Sequence, residues 1–187
     1  MDLKEFIERY KNIIIFVVVL LSAHFVWKIL VVGDESDQMV TLFGWNISAP
    51  FKLMVYHIAR VSDKVINFFG FDVNLLKGNA LRFANGNGIR VVWGCTAIKQ
   101  AYIFFCIMFF SHGSWKNKLW FIPAGLIVIY LFNIFRISLI AIIVKNHPEL
   151  FILMHKYVLK TIFYIVIFLM WVLWQEKFVA NNKKISV

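Results

Sequence analysis

Cysteine, proline and acidic residues are scarce in this sequence. Its 187 residues include two cysteines, three prolines and ten aspartates and glutamates, against twenty lysines and arginines. Cys95 and Cys106 lie within one predicted helix and about three turns apart, which excludes a disulfide between them. The loops also lack a cluster of ligands at the spacing of a metal site, so we expect neither a metal nor another cofactor. Without a low-complexity linker or an internal repeat, the chain is predicted to form one domain over residues 1–187.

Apolar residues, in contrast, are abundant. They make up 61% of the chain, aromatic residues make up 18%, and the mean hydropathy is +0.75. A soluble domain of this size cannot bury so much apolar surface, so the bilayer must cover it. The net charge of +10 does not indicate a nucleic-acid partner, because the lysines and arginines lie largely outside the apolar runs. We interpret them as topology signals and as contacts to lipid headgroups.

Four apolar runs predict membrane spans at residues 13–32, 96–111, 119–144 and 157–174. The first run is too long for the core of a signal peptide and lacks a small-residue cleavage site, so we expect it to be retained as an anchor. The predicted fold class is therefore an all-α polytopic membrane protein with about four transmembrane helices. Lysine and arginine are denser in the terminal segments and in the loop before the third run, which places both termini inside the cell.

The insert at residues 33–95 is too polar to span the membrane throughout. Ser48 and Pro50 are typical of a helix start, and the apolar residues from Phe51 to Phe69 then recur at helical spacing until Gly70 ends the pattern. Because its other face is charged, this segment is predicted to be an amphipathic helix at the outer membrane surface. An extra span at residues 38–58 is the alternative, which the proline and Lys52 disfavour.

After the amphipathic helix, the sequence changes to short β-prone segments separated by glycine and asparagine. These segments lie near residues 71–76, 80–84 and 89–93. They predict a small β meander that leads directly to Cys95.

Three polar residues that are distant in sequence are predicted to lie at one level of the membrane. Cys95 precedes the second span, His155 precedes the fourth, and Arg136 lies about 26 Å along the third. This grouping suits acyl transfer: a cysteine thiolate attacks, a histidine protonates the leaving amine, and an arginine stabilises the oxyanion. Asn133, one turn before Arg136, can orient it or donate a hydrogen bond of its own.

Each of these residues also has a structural interpretation. A membrane cysteine is often a small packing residue, and an arginine near a helix end can extend its charged group to the interface. His147, in the same predicted outer loop, competes with His155 for the role of acid. Lys99, one turn beyond Cys95, either stabilises the thiolate or extends to the interface.

The segment 88–100, GIRVVWGCTAIKQ, the segment NIFRISL from Asn133 and the histidine before the last span together resemble the exosortase/archaeosortase family. The resemblance covers residues 51–174, and the short chain is similar to the exosortase F type. It implies a polytopic membrane transpeptidase with Cys95, Arg136 and His155 as its catalytic set. Many members have Cys-Ser-Gly where this chain has Cys95, Thr96 and Ala97. Thr96 keeps the hydroxyl of the serine, whereas Ala97 replaces the glycine.

The resemblance also implies the partners and the location. The substrates would be exported proteins with a C-terminal motif, a membrane helix and a basic tail, and the acceptor would be an unidentified cell-surface amine. The enzyme would lie in the bacterial inner membrane with its active site facing outward. The rival hypotheses are a non-catalytic subunit that anchors a secretion or polysaccharide-export complex, and a small transporter with Arg136 as an anion site.

Overall fold

The computed structural model describes residues 3–34 and 39–180 of the chain. Five α-helices and six short strands follow one another in the order α1 Leu3–Leu30, β1 Val31–Asp34, β2 Met39–Leu42, β3 Trp45–Asn46, α2 Ser48–Phe68, β4 Val73–Leu76, β5 Ala80–Phe83, β6 Gly88–Arg90, α3 Ile98–Phe110, α4 Trp115–Asn146 and α5 Leu159–Trp174. A 3-10 turn, Trp93–Cys95, precedes α3. Two π-helical segments, Leu153–Val158 and Gln175–Ala180, flank α5.

Three helical segments of the described chain are long and apolar enough to cross a membrane. They are Tyr10–Leu30, Trp115–Asn146 and Pro148–Val179. Many of their apolar side chains face outward from the protein, as expected of surfaces that lipid covers. The helical polytopic architecture predicted from the sequence is therefore confirmed.

The predicted span at residues 96–111 is shorter than expected. Helix α3 has 13 residues, which is a length of about 20 Å, against a hydrocarbon core of about 30 Å. The difference arises because Cys95 belongs to the 3-10 turn and Ala97 has a φ of 59°, so regular helix begins at Ile98. The first two residues of the predicted span, Thr96 and Ala97, therefore connect the cysteine turn to the helix.

The helices α1, α3, α4 and α5 pack around one apolar core. Phe16 of α1, Phe104 of α3, Ile129 of α4 and Phe163 of α5 are buried together in it. Gly125 permits the close approach of α3 and α4, since a Cβ atom there would overlap the ring of Phe104.

A second core lies at the end of the bundle that carries Cys95. There the apolar face of α2, including Val55 and Ile58, packs on Ile137 and Ala141 of α4. The antiparallel sheet β4-β5-β6 completes this layer, with Leu81 fully buried. The predicted amphipathic helix and β meander are thus both present, and together they hold the Cys95 turn against α4.

The sheet β1-β2-β3 was not predicted. Residues 31 and 32, assigned to the first span, form part of β1, which pairs with β2. Gly33 is required there, because a Cβ atom would lie 2.6 Å from the carbonyl oxygen of Met39 and 2.9 Å from the ring of Trp93. The hairpin therefore packs directly on the turn that carries Cys95.

The start of α2 also differs from the prediction. The residue before the helix is Ile47, and Ser48 is the first helical residue, with its hydroxyl accepting the backbone N–H of Val40 at 2.9 Å. The alternative of one span over residues 38–58 is wrong for the residues described, because strands β2 and β3 occupy 39–46. Position 38 itself lies outside the described residues.

Candidate active site

A compact turn presents Cys95 between β6 and α3. The backbone N–H and the hydroxyl of Thr96 both donate to the carbonyl of Trp93, at 3.1 and 2.7 Å. Ala97 then adopts a left-handed conformation, which glycine adopts most readily. Cys95 itself is buried, with 8% of its surface exposed.

Asn133 fixes this turn to α4. Its side-chain amide donates to the backbone carbonyl of Cys95 at 2.9 Å, and the residue is fully buried. Its other side-chain atom, Oδ1, has no hydrogen-bond partner among the described residues. The sequence predicted that Asn133 either orients Arg136 or donates a hydrogen bond of its own. The structure shows a donated hydrogen bond, and its acceptor is the backbone carbonyl of Cys95.

Replacing Asn133 by alanine is expected to lower the free energy of unfolding by about 1–3 kcal/mol, because the buried carbonyl of Cys95 loses its donor. The loosened turn should also expose the thiol, so Cys95 should react faster with a maleimide. Both effects are measurable in detergent, by thermal unfolding and by labelling in a Cys106→Ala background. Ser138→Ala is the matched control, since its buried hydroxyl on the same helix has no partner within the described chain. An unchanged labelling rate in Asn133→Ala would contradict the anchoring role.

Arg136 and His155 are neighbours. The Nη2 atom of Arg136 lies 3.4 Å from Nδ1 of His155 and 3.3 Å from its backbone carbonyl oxygen. A guanidinium has donors and no acceptor, so Nδ1 must accept in this contact and cannot do so once it is protonated. Both distances are longer than those of strong hydrogen bonds, so the contact can be given up at small cost.

His155 lies in the π-helical segment Leu153–Val158, inside the long helical stretch that also contains α5. The wider turn of a π-helix often occurs at functional sites. Phe151 stacks on the imidazole with ring centroids 5.2 Å apart and planes inclined by 12°. This contact holds the ring in one orientation. The π-helix and the stacked phenylalanine were not predicted, because neither produces a periodic pattern of apolar residues in the sequence.

Cys95, Arg136 and His155 border one small cavity. Its volume is about 20 Å³, and Ile89 and Phe151 are among its other walls. Arg136 and His155 also border a larger cleft of about 320 Å³, to which Gly94 and Thr96 contribute on either side of the cysteine. The structure therefore brings the three predicted residues together from three separate segments of the chain.

The remaining candidates are placed differently. Lys99 lines the larger cleft, which Cys95 does not border. His147 is exposed and contacts the carboxylate of Glu149 at 3.1 Å, away from both cavities. Of the two competing histidines, His155 is the one beside Arg136 and Cys95.

The larger cleft also contains residues that the sequence did not single out, including Tyr164 and Gln100. Gln100 is buried within the first turn of α3. A polar residue in an otherwise apolar helix could have identified it as a candidate site residue from the sequence. Over residues 3–34 and 39–180, no group of three or more histidines, cysteines and carboxylates is placed to hold a metal ion.

A comparison with protein-family models found one match. The model of a family described as transmembrane exosortase matches residues 38–177. The match includes the second sheet, the Cys95 turn, α4 and the segment that carries His155. No curated protein and no solved structure matches the chain.

Proposed function

Because this chain belongs to the transmembrane exosortase family, we propose that it is a membrane-embedded cysteine transpeptidase. Its substrates are exported proteins with a C-terminal sorting signal, made of a short motif, a membrane helix and a basic tail. It cleaves near the motif and transfers the protein to an acceptor at the cell surface. The observation that carries this proposal is the shared cavity bordered by Cys95, Arg136 and His155.

The first step forms a thioester. The sulfur of Cys95 attacks the carbonyl carbon of the scissile peptide bond, and the thiol proton passes to His155. The C–N bond then breaks, and the amine leaves with the proton from His155. The products of this step are the acyl-enzyme and the released tail.

Arg136 has two uses in this step. In the resting state its guanidinium contacts Nδ1 of His155. When the imidazole takes up a proton at Nδ1, that contact is lost, and the N–H group becomes available to the oxyanion that forms at the same moment. The long distance of the resting contact supports this exchange.

The second step releases the acyl group. The amine of the acceptor attacks the thioester carbonyl and gives a proton to His155. The C–S bond then breaks, and the proton passes from His155 to the leaving sulfur, which restores the cysteine. Water in place of the amine gives hydrolysis. The lysine and arginine distribution supports an active site on the extracytoplasmic side of the membrane, which the proposal takes to be a bacterial inner membrane.

An apolar groove between α1 and α3 suits the membrane helix of the substrate. It has a volume of about 270 Å³, and Ser22 and Ala23 of α1 and Tyr102 and Phe110 of α3 are among its walls. Small residues permit close helix approach in lipid. The groove opens on the lipid-facing surface, so a substrate helix can enter it from within the bilayer.

The test is co-expression with a reporter that has an exported domain, a candidate C-terminal signal and an epitope tag after the basic tail. We expect the chain to remove the tag and to form an adduct with the exported domain that hydroxylamine releases as a hydroxamate, as a thioester requires. The Lys145→Gln variant at equal membrane level should act like the wild type, because Lys145 borders neither cavity nor the groove. If candidate signals from the source organism all keep their tags in the presence of the chain, the proposal fails.

A further inference from the structure

The cleft of about 320 Å³ beside the Cys95 turn is strongly basic. Besides Arg136, its walls include four lysines from three helical segments: Lys28, Lys99, Lys156 and Lys160. Among the residues that the structure describes, no aspartate or glutamate lines it. The cleft thus concentrates five positive charges without an acidic partner in its described walls.

These charges act on one another. Lys28 and Lys160 both lie close enough to Lys99 for their positive charges to repel it. Repulsion of this kind is stronger near apolar surroundings than in water. A bound anion would replace the repulsion by attraction, so the cleft favours an anionic ligand.

Arg136 is the least exposed of the charged residues at this cleft. It borders the cleft and is 4% exposed, so little water screens its charge. An anion in the cleft is therefore attracted to the guanidinium more strongly than it would be in water.

We propose that this cleft binds a phosphate ester, either as a lipid headgroup or as part of a soluble phosphate compound. A single carboxylate has one negative charge and two oxygens, which is too little for five cations. A phosphate monoester has a charge of up to two and three terminal oxygens, and lysine and arginine bind it well.

The location of the cleft fits this ligand. Lys28 lies in the last turn of α1, Lys99 in the first turn of α3, and Lys156 just before α5. These positions lie at helix ends, where lysine side chains reach the membrane interface and lipid phosphates are expected. The site lies beside the proposed catalytic residues, yet its ligand binding is measurable without any protein substrate.

The test uses the purified full-length chain in detergent and native mass spectrometry. Dioleoyl phosphatidic acid and dioleoylglycerol differ by the phosphate alone, so they form a matched pair of probes. We expect the wild type to retain phosphatidic acid and not dioleoylglycerol. Inorganic phosphate added as a competitor separates the two sources: displacement indicates a site for soluble phosphates, and retention of the lipid indicates a headgroup site.

The variant for this test is Lys99→Gln/Lys160→Gln, which leaves Arg136 and His155 in place. It should weaken the binding of phosphatidic acid by at least about 10-fold. Lys52→Gln/Lys64→Gln is the control, because it removes the same charge from the exposed face of α2. The control should bind like the wild type.

Equal loss in the two double variants would overturn the proposal, because it would show that net charge alone attracts the lipid. Equal retention of the two lipids by the wild type would also overturn it. If a short glutamate-rich peptide binds in a manner that depends on Lys99 and Lys160 while phosphatidic acid does not, the cleft belongs to an acidic segment of a protein ligand. Tag removal from the reporter is scored separately, so each proposal can fail without the other.

Discussion

Replacing Cys95 by alanine is expected to abolish tag removal from the reporter, with a loss of at least about 10³-fold at matched membrane levels. The thioester cannot form without the sulfur, and no other cysteine borders the cavity shared with Arg136 and His155 among the residues described. The change removes a single buried heavy atom, so the fold should persist. The measurement is the ratio of processed to unprocessed reporter on immunoblots over a time course.

Two further variants separate chemistry from packing. Cys95→Ser keeps the size of the side chain and a polar atom, yet it should also be inactive, because a hydroxyl is a weaker nucleophile than a thiolate. Cys106→Ala, on helix α3, borders the proposed groove for the substrate helix and not the cavity of Cys95, so it should still form the thioester. Normal processing by Cys95→Ala would remove the proposed nucleophile and would favour the hypothesis of a non-catalytic anchoring subunit.

Replacing Arg136 by glutamine is expected to slow processing by about 10²–10³-fold, the usual effect of removing one oxyanion donor. Arg136→Lys should recover a small part of this loss. Lysine keeps the charge but lacks the planar group that reaches His155 and an oxyanion from fixed directions. Formation and release of the thioester should both slow, since each passes through an oxyanion. Single-turnover assays in membranes, with and without hydroxylamine, measure the two steps.

The controls for Arg136 address charge and stability. Lys145→Gln removes a positive charge from the same helix at a place that borders neither cavity, and it should leave processing unchanged. Because Arg136 also donates to the backbone carbonyl of His155, thermal unfolding is measured for each variant, and rates are compared below the lowest midpoint. A wild-type rate in Arg136→Gln would exclude a role for the guanidinium in the reaction.

The membrane architecture could be predicted because each span is decided within its own segment. An apolar run of about twenty residues is stable in lipid whatever its neighbours are, so α1, α4 and α5 were visible in the sequence. The rise per residue then placed Cys95, Arg136 and His155 at one level. The same reasoning overestimated the span after Cys95, because a 3-10 turn and a left-handed residue depend on contacts that hydropathy does not encode.

The choice between histidines required the structure. His147 and His155 both follow α4, and their depths from sequence differ little. The packing of the π-helical segment against α4 brings His155 to Arg136, while His147 remains exposed beside Glu149. The catalytic roles of Cys95, Arg136 and His155 themselves remain predictions until the variants are measured.

The sequence alone determined that this chain is a membrane protein, roughly where its long apolar helices lie, and which family it belongs to, because run length, charge distribution and short motifs are local properties. Tertiary structure alone decided that Asn133 holds the Cys95 turn, that the β1-β2-β3 sheet supports Trp93, and that four lysines join Arg136 around one cleft. These are contacts between side chains from distant segments, and they depend on how the helices pack against one another. Hydropathy fixes the depth of a residue in the membrane, whereas its neighbours at that depth are fixed by packing.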